Sequence, residues 1–598
     1  MAKAFYITTA IDYVNAYPHI GHAFEKVLAD TIARWKRLNG KKVWFLTGTD
    51  ENAQKNALAA RQEGISTKEF VEKNSKKFIE LNKKLGISND DFIRTTEPRH
   101  IKIVQEIFKK IYDKGDIYKG KYEGYYCPGC EAFKTEKELV NGKCPEHNRT
   151  PDYMSEEAYF FKLSKYKKQI IQFIKNCVIP EAKRNEMLAR LEEEELRDLC
   201  VSRTNIDWGI DSPIDKKFKI YVWFDALINY ISGSNKNWPA DVHVIGKGIN
   251  WFHSVIWPAI LTSAGYDLPK KVLVHGYLNL GGQKISKSIG NVIDPLELAE
   301  KYSVDTARYS LLRCSEFDDS EYSEEILIER NNSELANKLG NLISRVSALA
   351  EQHGMEKTEN KLLKKLKLND ISNHLDNFEV DKALGIIFEF IETCNEFIQE
   401  KKPWETKDKK ILYELADSIK AIAILLWPYI PQSSEKIAEV FGFKIDIKGL
   451  KKPLAAGKIK KADILFKKIE PNEAENPKEH KIAGVLNLST IKFDEWQKLD
   501  FRVGKIIDVK DHTDADKLYV LEIDLGKLGK RTIVAGLKQH YKPKELKGQL
   551  CIVFANLEPA VLRGVKSEGM ILAAINEDKS KVTLIQPSKD IELGSRVS

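Results

Sequence analysis

The chain has 598 residues, 42% hydrophobic and 30% charged, with a formal net charge of +8. At about 150 residues per domain this length predicts three to five domains, and the composition excludes disordered and fibrous classes. The longest helix-like apolar stretch, 421–427, stops at Pro428 and residues 1–10 hold no extended apolar run; eight cysteines, three of them within 127–144 and the other five scattered, are too few for a disulfide scaffold. No membrane association and a cytoplasmic location are therefore expected.

Residues 4–11 read as a buried strand, followed after Pro18 by an amphipathic helix over 21–38 and a second strand over 42–46 that runs into Gly48-Thr49-Asp50. This β-α-β order predicts a parallel sheet of the Rossmann type with a ligand crevice at the strand C-termini. Strands of the same kind are expected at 219–223, 242–245 and 272–275, so the sheet is split by an insertion over 115–215, with a helical, acid-rich stretch around 191–199. From about 325 to 450 apolar residues recur at spacings of three and four, as in 335–346 and 386–397, which predicts a helix bundle. Residues 469–490 read as a linker, and 451–490 holds nine lysines against five acids, which suits a polyanionic partner. Short alternating strands at 503–509, 518–525, 532–535 and 550–554 predict a small β-barrel. The expected domains are 1–114, 115–215, 216–325, 326–468 and 491–598, with 469–490 between the last two.

Three groups of residues carry chemistry. Pro18-His19-Ile20-Gly21-His22 sits at a strand-to-helix junction, where a helix N-terminus favours anions and two imidazoles add donors for a nucleotide triphosphate. Gly281-Gly282-Gln283-Lys284-Ile285-Ser286-Lys287-Ser288 sets two lysines among small residues, as a loop that clamps pyrophosphate would. Cys127-Pro128-Gly129-Cys130 followed by Cys144-Pro145-Glu146-His147 pairs soft ligands at the short spacings that suit tetrahedral Zn²⁺, with no open position for catalysis.

The first two motifs together resemble the class I aminoacyl-tRNA synthetases. Phe5-Tyr6-Ile7-Thr8-Thr9, Gly48-Thr49-Asp50-Glu51, Tyr221-Val222-Trp223-Phe224-Asp225-Ala226 and Trp251-Phe252-His253-Ser254 extend that resemblance to the methionyl-tRNA synthetase family across nearly the whole chain. The resemblance implies activation of L-methionine by ATP with Mg²⁺, then transfer to tRNA(Met), initiator and elongator. By the same resemblance His19, Gly21 and His22 would bind ATP, with Lys284 and Lys287 on the β and γ phosphates and Arg203 assisting. Ile11, Tyr13, Trp223, Ala226, Tyr230, Ile249 and His253 would form the methionine pocket, and Asp50 would pair the substrate ammonium. Asn341, Arg345 and Trp404 would read the CAU anticodon. The zinc knuckle would be structural and lie in the connective insertion. The segment from 491, with Lys517, Ser567 and Met570, resembles a tRNA-binding oligonucleotide-fold domain that dimerises in relatives, which implies a homodimer.

Four positions depart from the family pattern: Asn52 and Ala53 stand where His-Gly is common, Gly248 where an Asp often follows Gly-Lys, and Ile285 where the signature has Met. Rival expectations are a synthetase for leucine, isoleucine, valine or cysteine, and a non-catalytic tRNA-binding protein. The insertion is too short for the large editing domain of the first three. The zinc ligands lie too far from His19 and His22 for the cysteine enzyme, and the two intact signatures argue against a protein without catalysis.

Overall fold

The computed structural model describes residues 3–127, 132–134, 139–140, 142–145, 150–204, 206–280, 283–284, 293–455, 457–470, 496, 498–513, 515–575 and 581–597. It divides into two compact units, Met1–His480 and Lys481–Ser598.

In the first unit six apolar runs form one parallel sheet: β1 (Phe5–Tyr13), β2 (Val43–Asp50), β3 (Asp91–Arg94), β4 (Val178–Ile179), β5 (Val242–Gly246) and β6 (Val272–His275). Their order is β3-β2-β1-β5-β6-β4, every neighbouring pair parallel. β1 is central and buried on both faces, which is why its sequence, FYITTAIDY, shows no apolar-polar alternation. Strand order reverses between β1 and β5, so a crevice opens at their carboxyl ends. Helix α1 (Ile20–Leu38) leaves that crevice and packs along the sheet.

Two expectations are corrected here. Residues 219–223 do not add a strand to the parallel sheet: Lys219–Ile220 pairs antiparallel with Ser202–Arg203, and Val222–Leu227 is a helix. Its Asp225 is buried between His100 Nε2 at 2.6 Å and Asn52 Nδ2 at 2.8 Å, and that polar clamp outweighs the β propensity of Tyr-Val-Trp-Phe. The acid-rich stretch is helical only as far as Glu193, in helix Glu181–Glu193; Leu199–Cys200 is a strand beside Phe160–Phe161. The inserted region is built on a long antiparallel hairpin, Ile117–Cys127 against Asp152–Phe161.

Beyond the sheet the chain is helical. The main helices are Asn341–His353, which continues a π-helical stretch over Asn331–Gly340, then Val380–Lys401, Lys409–Leu426 and Pro431–Phe441. Leu335, Leu339, Leu342 and Val346 from one run, and Ile387, Ile391 and Cys394 from the other, meet in the core that α1 also enters. Arg308 locks these layers together. Fully buried, it pairs with Asp30 of α1 at 2.8 Å and donates to the carbonyls of Leu85, Pro428 and Tyr429 at 3.2, 3.0 and 3.0 Å.

The second unit is an antiparallel sheet in the order Lys530–Ala535, Tyr519–Asp524, Phe501–Asp511, Leu550–Phe554, Met570–Ile571. Arg596–Val597 also pairs with Phe501–Asp511, and the sheet curls around Ile506, Leu521, Ile533 and Val553. Among the described residues no helix is long and apolar enough to cross a membrane.

Arg308→Met would leave the Asp30 carboxylate only Arg34, at 2.7 Å, and Ser88, and would take the shared donor from three carbonyls; it is expected to lower stability by about 3 kcal/mol, read as a fall in the denaturant midpoint, and an unchanged midpoint would contradict the lock.

Candidate active site

A cavity of about 530 Å³ opens at the β1/β5 switch. Ile11 and Tyr13 end β1, Asp50 ends β2, and His19, Gly21 and His22 start α1. Trp223, Ala226 and Tyr230 come from the helices after Ile220, and Ile249 and His253 from the segment after β5; all of them line the cavity. Arg203 does not line it. It is buried on its short strand with its guanidinium 4.0 Å from the Tyr126 ring centre. Lys284 lies on strand Gln283–Lys284, paired antiparallel with Leu278–Leu280, whose Leu278 is a cavity residue. Ile293, where the described chain resumes, accepts from Ile20 N at 3.1 Å through its carbonyl, beside the first turn of α1. Lys287 itself lies outside the described residues.

The two histidines are ordered by helix capping. His19 is the N-cap of α1: its Nδ1 accepts from Gly21 N at 3.1 Å, while His22 Nδ1 accepts from His19 N at 3.0 Å. A neutral imidazole that accepts at Nδ1 carries its proton on Nε2. Both rings, 3.8 Å apart between centres, thus have Nε2 as the donor edge at a helix N-terminus, where anions are already favoured.

Behind them a buried charge network holds the floor. Lys26 reaches Asp12 at 2.9 Å and Glu25 at 3.3 Å, and His275 Nε2 lies 3.1 Å from Glu25. Burial alone would push the Glu25 carboxyl up, but the Lys26 ammonium and the His275 hydrogen bond outweigh it and hold it below the usual range.

The opposite end is aromatic. Trp223 stacks on Phe252 at 3.6 Å between ring centres and meets the edge of Tyr13 at 6.2 Å. His253 Nδ1 donates to the Ile249 carbonyl at 3.0 Å, so its Nε2 accepts from the Tyr230 hydroxyl at 2.7 Å. Burial pushes the His253 imidazole down to about 4, and burial also drives His243, beneath Tyr230, well below the ordinary histidine value. Both rings are neutral at pH 7. Asn52, one of the departures, donates to Asp225 on the helix that carries Trp223 and Ala226 and so fixes that wall. The Asp225–His100 pair and the Lys26 network were not singled out from the sequence, because their partners are far apart in the chain.

Elsewhere, Asn341 and Arg345 line a second cavity with Asn395 and Gln399, and the Arg345 guanidinium lies 5.5 Å from the centre of the Trp404 ring. In the second unit Lys517 is exposed and Met570 is 46% exposed, whereas Ser567 is buried, accepting from Val534 N at 3.1 Å and donating to the Gly569 carbonyl at 3.1 Å. Cys127 and Cys144 are both fully buried; Cys130 and His147 lie outside the described residues.

Residues 5–150 and 136–347 match the family of class I (M) tRNA synthetases, 362–488 the anticodon-binding domain of tRNA ligases, and 501–596 a putative tRNA-binding domain. The methionine–tRNA ligase of Caldanaerobacter subterraneus subsp. tengcongensis is 41% identical over 100% of both chains, and that of Thermotoga maritima 41% identical over 99% of this chain and 100% of the relative. The chain belongs to the methionyl-tRNA synthetase family. A solved structure of Mycobacterium tuberculosis methionyl-tRNA synthetase in complex with methionyl-adenylate is similar at a TM-score of 0.75 and 35% identity, covering 78% of this chain and 100% of that one. The enzyme is a ligase that joins methionine to tRNA at the expense of ATP.

The low value of His253 makes the fold acid-sensitive. Unfolded, the ring takes up a proton near pH 6.5; folded, it does so only near 4, so stability present above pH 6.5 is lost as pH falls toward 4. Between pH 7 and 5 the stability lost by His253→Gln should be about 2 kcal/mol smaller than that lost by the unaltered enzyme, measured by denaturant titration at the two pH values; equal losses would contradict the assignment.

Proposed function

We propose that the cavity at the β1/β5 switch is where this enzyme forms methionyl-adenylate. Methionine would lie among Ile11, Tyr13, Trp223, Ala226, Tyr230, Ile249 and His253, with its ammonium toward Asp50. The triphosphate would run from His19, Gly21 and His22 to Lys284 and Lys287, with Arg203 assisting. The observation that carries this reading is a single cavity bounded at one end by the paired Nε2 donors of α1 and at the other by the Trp223–Phe252 stack. A polarizable thioether suits the aromatic end, and a polyanion the helix N-terminus.

The chemistry needs no general base. The carboxylate of methionine is already ionised at neutral pH and attacks the α-phosphorus; a carboxyl-oxygen-to-phosphorus bond forms, the bond to the β-phosphate oxygen breaks, and pyrophosphate leaves with the electron pair. His19 and His22 donate from Nε2 to the α-phosphate oxygens as charge builds there, and the walls hold the two reactants in line. Mg²⁺ travels with ATP and neutralises part of its charge. A hydroxyl of the 3′-terminal adenosine of tRNA then attacks the methionyl carbonyl carbon; the ester bond forms, the bond from that carbon to the phosphate oxygen breaks, and AMP departs with the electron pair while the hydroxyl proton passes to its phosphate or to solvent.

Asn341, Arg345 and Trp404 would stack on and hydrogen-bond the unpaired anticodon bases of tRNA(Met), initiator or elongator; the cationic and aromatic groups around their shared cavity support this. In the second unit, an oligonucleotide-fold barrel, exposed Lys517 and Met570 would face RNA while Ser567 holds the strand behind them. Exposed Val561, Ile575 and Ile585 suit a homodimer through this unit. Cys127, Cys130, Cys144 and His147 would hold one structural Zn²⁺. Two fully buried thiols at the end of a polar hairpin fit that donor set, and the ion would cross-link the hairpin tip. The domains would be 1–114, 115–215, 216–325, 326–468 and 491–598, with 469–490 as the linker, and the enzyme would work in the cytoplasm, where charged tRNA is used.

Pyrophosphate exchange with all twenty amino acids should proceed with methionine alone and fall by about 10²–10³ in His22→Ala, while Trp404→Ala should exchange normally and charge tRNA poorly. Exchange untouched by His22→Ala, or charging untouched by Trp404→Ala, would reject the respective assignment. Native mass spectrometry should find two chains with one zinc each, and Cys127→Ser should lose the zinc; a zinc-free monomer would reject both proposals.

A further inference from the structure

One wall of the cavity is formed by the carboxyl ends of β5 and β6 and the residues that follow, among them Gly246, Gly248, His275, Gly276 and Tyr277. A Cβ placed on Gly248 would lie 2.0 Å from the Tyr277 hydroxyl oxygen and 3.4 Å from Cζ. No non-bonded pair of atoms tolerates 2.0 Å, so this orientation of Tyr277 exists only because residue 248 has no side chain. The hydroxyl occupies the room into which an aspartate at 248, the residue common in relatives, would grow.

Tyr277 is held on several sides. Its N–H donates to Asp319 Oδ1 at 2.9 Å, and the Lys247 ammonium, 4.6 Å from its ring centre, pairs with Asp319 Oδ2 at 2.6 Å. A Cβ on Gly276 would meet the Asp318 carbonyl oxygen at 2.2 Å, so the backbone just before Tyr277 is wedged against the same segment. The ring is also contiguous with the α1 end of the cavity: a Cβ on Gly246 would lie 3.4 Å from His275 Cε1 and 3.9 Å from Tyr277 Cε1, and His275 reaches Glu25 of α1 at 3.1 Å.

We propose that Tyr277 positions the nucleotide, its hydroxyl, which fills the space that a side chain at 248 would take, making a hydrogen bond to the ATP sugar. The proposal rests on the cavity being the adenylate site. With the α-phosphate at the His19/His22 edge, the group that adjoins it is the ribose, and the glycine-lined wall of Gly246, Gly248 and Gly276 gives it room. A phenol hydroxyl both donates and accepts, as a vicinal diol does, whereas a carboxylate only accepts.

The test is pyrophosphate exchange by the full-length enzyme with ATP, 2′-deoxyATP and 3′-deoxyATP. Loss of one such hydrogen bond predicts that Tyr277→Phe raises the KM for ATP about tenfold while kcat and the KM for methionine stay unchanged. The penalty should shrink below about twofold with the deoxynucleotide that lacks the bonded hydroxyl. Gly248→Asp should raise the KM for ATP more in the unaltered enzyme, where it collides with the hydroxyl, than in Tyr277→Phe. An unchanged KM for ATP in Tyr277→Phe, or the same penalty with all three nucleotides, would overturn the proposal. If His22→Ala still abolishes exchange in that case, the adenylate site stands and only the role of Tyr277 falls; if His22→Ala also exchanges normally, the site assignment falls with it.

Discussion

The first unit depends on one buried guanidinium. Arg308 has no exposed surface, and an uncompensated charge there would cost several kcal/mol, so Asp30 and the carbonyls of Leu85, Pro428 and Tyr429 must arrive together for the core to close. These partners come from α1, from the turn before β3 and from the end of the Lys409–Leu426 helix. The same Tyr429 donates from its hydroxyl to the Val380 carbonyl at 3.0 Å, which fixes the start of Val380–Lys401. The far end of that helix carries Asn395 and Gln399 beside Arg345. The helix whose N-terminus bears His19 and His22 and the helix that shapes the Arg345 cavity are therefore registered to each other through a single ion pair and its carbonyl acceptors.

Backbone geometry also sets the protonation pattern of the site. A capping box normally uses a hydroxyl or carboxylate; here two imidazoles satisfy the first amides of α1 with Nδ1. Capping then draws on one edge of each ring and the proposed phosphate contacts on the other, and the short spacing between His19 and His22 follows from the reach of an N-cap to N3. The sequence suggests two histidines sharing a helix face. In the structure His19 stands just before the helix, with extended backbone, and its ring stacks on that of His22.

Much of this was legible from local sequence. β1, β2, β5 and β6 are runs of apolar residues that only a doubly covered parallel sheet accommodates, and the spacing of Leu335, Leu339, Leu342 and Val346 marks a buried helix face. The cavity residues were within reach because the motifs that supply them sit at strand ends. What was not legible is what long-range partners decide. Residues 219–223 have strand-like composition, yet Asp225 is drawn between His100 and Asn52 and turns the segment into a helix. β4 is two residues long, too short to show any period. The consequence of Gly248 is spatial: its counterpart, Tyr277, is remote in sequence and adjacent only after β5 and β6 pair.

Charge balance ties the departures to the chemistry. Asp12, Glu25 and Asp50 all line the cavity proposed for the nucleotide. Two of them are answered by the Lys26 ammonium, itself almost fully buried, and Glu25 again by His275, so their charge is neutralised within the floor and not presented to phosphate. Asp50 stands at the end of β2, on the side where the amine of the amino acid belongs. A further carboxylate at 248 would add negative charge to the nucleotide wall, where no second buried lysine is seen among the described cavity residues. With glycine at 248 and a phenol in the vacated space, that wall keeps a hydrogen-bonding group without a further carboxylate, so in the proposed site a polyanion would meet the donors at α1 and an uncharged glycine-lined wall opposite.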